Sequence, residues 1–161
     1  MPALVLTSHT AIGGYAKLRL AAMREKVSAA MLGPVLRCLI VDDNAQFVVA
    51  ARAILDGDEL SVVGQAANAA EALQRTSELS PDLVLLDIDL GKESGFAVAR
   101  QLTDEAGDAA PKIVLISTHP GDDFADLIAE SPALGFVAKS ELSPAAVIRL
   151  VQGSDDSSRS A

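Results

Sequence analysis

Five short apolar runs, each followed by a stretch with helical spacing, leave this chain few folds to choose from, and four of the runs stop on residues that carry chemistry. LRCLIV (residues 36–41) stops at Asp42 and Asp43, and LVLL (83–86) stops at Asp87. The run 113–116 stops at Ser117 and Thr118, and LGFVA (134–138) stops at Lys139. A fifth run, 60–66, is a short strand without such an ending. Strands alternating with helices at this spacing predict an α/β fold built on a doubly wound, five-stranded parallel sheet with five helices.

The helical stretches carry their own punctuation. Phe47, Val48, Ala51, Ile54 and Leu55 recur at helical spacing over residues 45–55, and Asp56-Gly57-Asp58 closes that helix. Asn68 with Glu71 three residues on predicts a capped second helix, which Ser80-Pro81 stops. A third helix is expected over about 94–104 and a fourth over 122–130. Ser143-Pro144 reads as the cap and first residue of the fifth.

In an open α/β sheet, ligands sit outside the carboxyl ends of the strands. Asp42, Asp43 and Asp87 should meet at that edge, where they would repel one another unless a hard divalent cation neutralised them. The reading is therefore a Mg²⁺ (or Mn²⁺) site beside a reactive carboxylate.

Strand ends bearing Asp-Asp, Asp, Ser and Lys in that order resemble the receiver domain of two-component response regulators. The resemblance covers about residues 37–152, through IVDDN, LLDIDLGKESGF, VLISTHP and GFVAKS. It implies the flavodoxin-like strand order 2-1-3-4-5, which periodicity alone does not give. It also implies that Asp87 is the phospho-acceptor, taking its phosphoryl group from a sensor histidine kinase or phosphotransfer protein. By the same resemblance Asp43 ligates Mg²⁺ directly, Asp42 partly through water, and Asp89 through its backbone carbonyl. Ser117 and Lys139 then contact phosphoryl oxygens, and Phe136 stands where the family carries a switch aromatic. The surface formed by the fourth helix, fifth strand and fifth helix is the implied output face, toward a downstream protein partner not named by the sequence.

The chain departs from the family pattern in places. Gly91 and Ser140 stand where proline is frequent, which predicts looser loops. Thr118 stands where Ala or Gly is common, and its bulk should narrow access to the site. Phe136 replaces the frequent Tyr, so no phenol is available; its plain reading is a core aromatic. Two other functions compete. A haloacid dehalogenase-type phosphatase also uses an Asp-x-Asp, matched by Asp87-Ile88-Asp89, but carries it on its first strand with the acidic pair downstream. A protein-interaction module independent of phosphorylation would need an inactive site, whereas all five site residues are present. The chain is accordingly read as a regulator with phosphotransfer and autodephosphorylation chemistry only, not as an enzyme.

Charge narrows the partners. The chain carries −9 overall, yet residues 1–36 hold Lys17, Arg19, Arg24 and Lys26 against Glu25, a net of +3 that leaves −12 for the rest. That body should repel DNA, since counterion-release binding needs clustered Lys and Arg. Only 3% of residues are aromatic, so the core must be aliphatic, with the single Cys38 inside it and no internal disulfide. No stretch has the length of a membrane span or the pattern of a secretory leader, which predicts a cytoplasmic protein. Residues 1–36 read as an extension, disordered or helical over 17–30, with Met31 as an alternative translation start. The Ser/Asp-rich residues 153–161 read as a disordered tail after which no output domain is expected. Val147, Ile148, Leu150 and Val151 make the fifth helix very apolar, and any surplus left exposed would favour a homodimer or a docked partner.

Overall fold

The computed structural model describes residues 34–159, with side chains described as far as Asp156. The reading of the N-terminal extension falls on residues outside the described ones, apart from 34–36. Leu36 itself already belongs to the first strand and pairs with Leu60, so the folded body begins one residue earlier than the resemblance.

The elements run β1 (Leu36–Val41), α1 (Ala45–Leu55), β2 (Leu60–Ala66), α2 (Ala69–Leu79), β3 (Leu83–Asp87), α3 (Gly95–Ala106), β4 (Lys112–Ser117), α4 (Ala125–Glu130), β5 (Gly135–Ala138) and α5 (Pro144–Arg159). All five strands are parallel, in the order β2-β1-β3-β4-β5. The expected sheet and its order are both present. A two-residue antiparallel hairpin, Asp89–Leu90 against Glu93–Ser94, follows β3 and has no counterpart in the sequence reading.

Successive strand residues face opposite sides, so the sheet divides the core in two. Ile40, Leu85, Val114 and Ile116 meet Val48, Ala51 and Leu55 of α1 and Val147 and Val151 of α5. Leu39, Val41, Val84, Leu86 and Leu115 meet α2 and α3 on the other face. Central strands covered on both faces need continuous apolar sequence, which is why β3 and β4 read as runs and not as alternations. Ile148 and Leu150 pack partly buried against the same core, so α5 spends its apolar residues on the sheet.

Local chemistry sets the helix starts. Asn44 Oδ1 accepts from the backbone N–H groups of Gln46 and Phe47, each at 3.1 Å, and so caps α1. At α2, Asn68 accepts from the Glu71 N–H at 2.9 Å while the Glu71 carboxylate reaches back to the Ala67 N–H at 2.8 Å. Ser143 Oγ accepts from the Ala146 N–H ahead of Pro144, as the sequence predicts.

The tail is a correction. Residues 153–159, expected to be disordered, continue α5 to Arg159. Composition read the isolated segment as unable to hold structure, but Lys112 on β4 forms an ion pair with Asp155 and ties the helix end to the sheet.

Candidate functional site

Strand register assembles the site. Val41 lies beside Leu86, so Asp42 follows level with Asp87; Asp87 lies beside Ile116, and Ser117 beside Ala138, so Ser117 and Lys139 arrive at the same edge. Asp42, Asp43 and Asp87 each place a carboxylate oxygen within 4.8 Å of the others.

Each acid is held differently. Asp42 is buried, with Oδ1 accepting from the Asn44 N–H at 2.8 Å. Its Oδ2 lies 2.6 Å from Lys139 Nζ, close enough for a strong ion pair but off the alignment of a hydrogen bond, so this buried oxygen has no directed donor. Asp87, 5% exposed, accepts from the Asp89 N–H at 3.0 Å on Oδ1 and from Lys139 Nζ at 3.0 Å on Oδ2. Asp43 faces solvent.

Burial raises the Asp87 carboxyl above its usual range, and the nearby Asp42 charge adds to this; the donors on Asp89 and Lys139 only partly offset it. Burial works against the Lys139 ammonium, but its contacts with Asp42 and Asp87, together with their charges, outweigh that and raise its pKa. One ammonium thus answers only two of the three clustered acids. An oxygen-only donor set of this kind fits a hard divalent cation.

The hydroxyl and the aromatic are placed by the loop after β4. Ser117 is buried and its Oγ accepts from the His119 N–H at 3.0 Å, which folds the loop back on itself. Thr118 next to it is exposed. Phe136 is half-buried on β5, and its ring fills the space a side chain at Gly121 would need: a Cβ there would lie 2.7 Å from Phe136 Cδ1. Gly91, where proline is frequent in the resemblance, turns the hairpin at φ +68, a value closed to proline. Glu93 in the same hairpin accepts from the Ala69 N–H at 3.1 Å and ties the loop to α2.

Two residues here were not picked out from sequence. The Phe47 ring lies under Lys139 Nζ at 4.3 Å from its centroid. Its signal was position, one helical turn past Asp43 on a helix leaving the same edge. Gly95 opens α3 against the end of β3, where a Cβ would collide with the Asp87 carbonyl oxygen and lie 2.7 Å from Ile88 Cα. A cleft of about 630 Å³ lies at the opposite end of the strands between Thr76, Pro81, Leu102 and Pro111 and shares none of these residues.

Sequence and fold comparisons place the chain among known proteins. A putative transcriptional regulator of Pseudomonas aeruginosa is 36% identical over 105 residues, 65% of this chain and 50% of that protein. The transcriptional regulatory protein LiaR of Bacillus subtilis is 29% identical, over 65% of this chain and 49% of its own. The chain thus spans about half the length of the curated relatives it matches. A LuxR-family two-component response regulator from an Aurantimonas species superposes with a TM-score of 0.64 at 30% identity, covering 74% of this chain and 84% of that one. The response regulator domain of Thermotoga maritima CheB gives 0.64 at 23% identity over 74% and 96%, a likeness of fold alone. Residues 38–152 match the sequence model of the response regulator receiver domain, and the chain therefore belongs to that family.

Proposed function

We propose that this receiver domain is a phosphorylation-dependent switch in which Asp87 accepts a phosphoryl group from the phosphohistidine of a sensor kinase or phosphotransfer protein. The observation that carries the reading is one buried carboxylate, Asp87, held at a strand end by a lysine and crowded by two further acids. An Asp87 oxygen attacks phosphorus, the P–O bond forms as the P–N bond breaks, and the departing imidazole keeps the electron pair and takes up a proton.

Asp42, Asp43 and Asp87, with the Asp89 carbonyl, would hold Mg²⁺ or Mn²⁺. When bound, the ion supplies positive charge against the phosphoryl oxygens. Lys139 supplies a second cation there, already poised 3.0 Å from the acceptor oxygen. The Ser117 hydroxyl exchanges its turn contact for a phosphoryl oxygen, and Phe136 leaves or keeps its seat on Gly121 accordingly. Output passes to a downstream protein through α4, β5 and α5, where Leu127 is 45% exposed among Asp123, Asp126 and Glu130. The site of action is the cytoplasm. Among the described residues no helix is long and apolar enough to cross a membrane.

The test is intact mass after incubation with acetyl phosphate, with and without Mg²⁺. One phosphoryl group should be gained, only with the ion, and Asp87→Asn should gain none. Labelling of the Asn variant at the wild-type yield would refute the assignment.

A further inference from the structure

We infer that Phe47 is a positioning residue for the reaction, holding the Lys139 ammonium against the acceptor carboxylate through the face of its ring. This inference rests on the phosphoryl-transfer reading above and names a part of that site which neither the acidic pair nor the lysine supplies.

The Lys139 side chain is 11% exposed, although its head carries a full charge on a four-carbon stem. Asp42 Oδ2 at 2.6 Å and Asp87 Oδ2 at 3.0 Å lie on it from two strand ends, and the Phe47 ring covers it at 4.3 Å. A ring face at that distance attracts a cation electrostatically and excludes the water that would otherwise solvate it. The ring cannot wander, because the Asn44 cap fixes the turn that bears Phe47 and the side chain packs half-buried against the α1 and α5 core.

The ring matters because both carboxylates have other work. Asp42 and Asp87 belong to the acidic cluster, and any cation bound there competes with Lys139 for their oxygens. A phosphoryl group on Asp87 would displace the lysine from Oδ2 as well. Phe47 has no such second partner. It offers the ammonium an attraction that does not change when the carboxylates are engaged, so the lysine remains at the reacting centre and does not swing into solvent.

The experiment replaces Phe47 in the full chain by Leu, by Trp and by a series of progressively fluorinated phenylalanines that keep the ring's shape while weakening its negative face. Two quantities are read: the rate of labelling by acetyl phosphate with Mg²⁺, and the NMR shifts of the Lys139 ε-methylene protons without phosphodonor. The wild type should show those protons displaced upfield by the ring, and Phe47→Leu should return them to ordinary lysine values. Labelling should slow about two- to tenfold in Phe47→Leu, fall stepwise along the fluorinated series and recover in Phe47→Trp. Melting temperature, measured in parallel, separates this from loss of packing, since the fluorinated rings fill the same space.

Equal labelling rates along the series, in a wild type that labels, would overturn the role of Phe47 and leave the function intact. Unshifted Lys139 protons in the wild type would overturn the contact itself. A wild type with shifted protons that takes up no phosphoryl group would overturn the phosphoryl-transfer reading, and with it the part Phe47 plays in it.

Discussion

Cys38 lies fully buried in the middle of β1, between β2 and β3. Burial pushes its thiol up to about 12 from an ordinary 9.0, and a backbone contact at Leu85 offsets this only in part. The thiolate is the reactive form, so this cysteine is inert while the domain is folded. Because the folded value is the higher one, the thiol's contribution to stability is complete below pH 9 and is lost as pH rises toward 12. Paired denaturant melts of wild type and Cys38→Ala should therefore show a wild-type advantage that shrinks above pH 9, by about 1.4 kcal/mol per pH unit at most. A constant difference across that window would contradict so buried a thiol. Ser117 invites a different test, because its Oγ serves only the His119 turn contact in this state. Ser117→Ala should label at Asp87 nearly as well as wild type, yet lose the phosphorylation-dependent NMR shifts along α4, β5 and α5. Shifts of wild-type size in that variant would return Phe136 to a plain core residue.

Two helical glycines show how differently the elements use one residue type. Gly153 lies within α5 with ordinary negative φ and open space where a side chain would stand. Gly153→Ala should raise stability by roughly 0.5–1 kcal/mol, because alanine loses less backbone entropy in a helix. Gly95 at the start of α3 donates its N–H to the Ile88 carbonyl at 2.7 Å and has backbone where its Cβ would go. Gly95→Ala should cost about 1–3 kcal/mol and disturb labelling, since the strand that must shift carries Asp87. Thermal melts of both variants decide the matter. Helix starts such as Asn68 and Ser143 were legible in the sequence because a cap is a contact over two or three residues. The sheet edge was legible because four of the five strands stopped on a side chain of the site. Gly95 was not, since its neighbour is a carbonyl on another element. Residues 122–130 read as one helix, but the chain makes a 3₁₀ turn over Gly121–Phe124 before α4 begins at Ala125. That turn is where the Phe136 ring meets Gly121, a contact no helical period records. The helical end of α5 was hidden for the same reason, being tied by Lys112 on a distant strand.

Across the whole molecule, Lys139 leaves β5, passes the end of β4 and reaches acids on β3 and β1. Lys139→Ala removes that span and leaves buried Asp42 and Asp87 facing each other, at an expected cost of about 3 kcal/mol in metal-free buffer. Millimolar Mg²⁺ should restore part of the loss, which denaturant melts with and without the ion would measure; no recovery would argue against a cation site among the three acids. The lysine follows Asp87 by 52 residues and comes after the last strand, whereas both sets of acids precede it. On the ribosome, β1 and β3 emerge with their carboxylates well before Lys139, the side chain that draws them together. An unfinished chain, or one whose fifth strand has come away, holds anions at an edge with no lysine to answer them. The balance of charge at this edge is then a property of the completed fold, reached only when the last strand is in place.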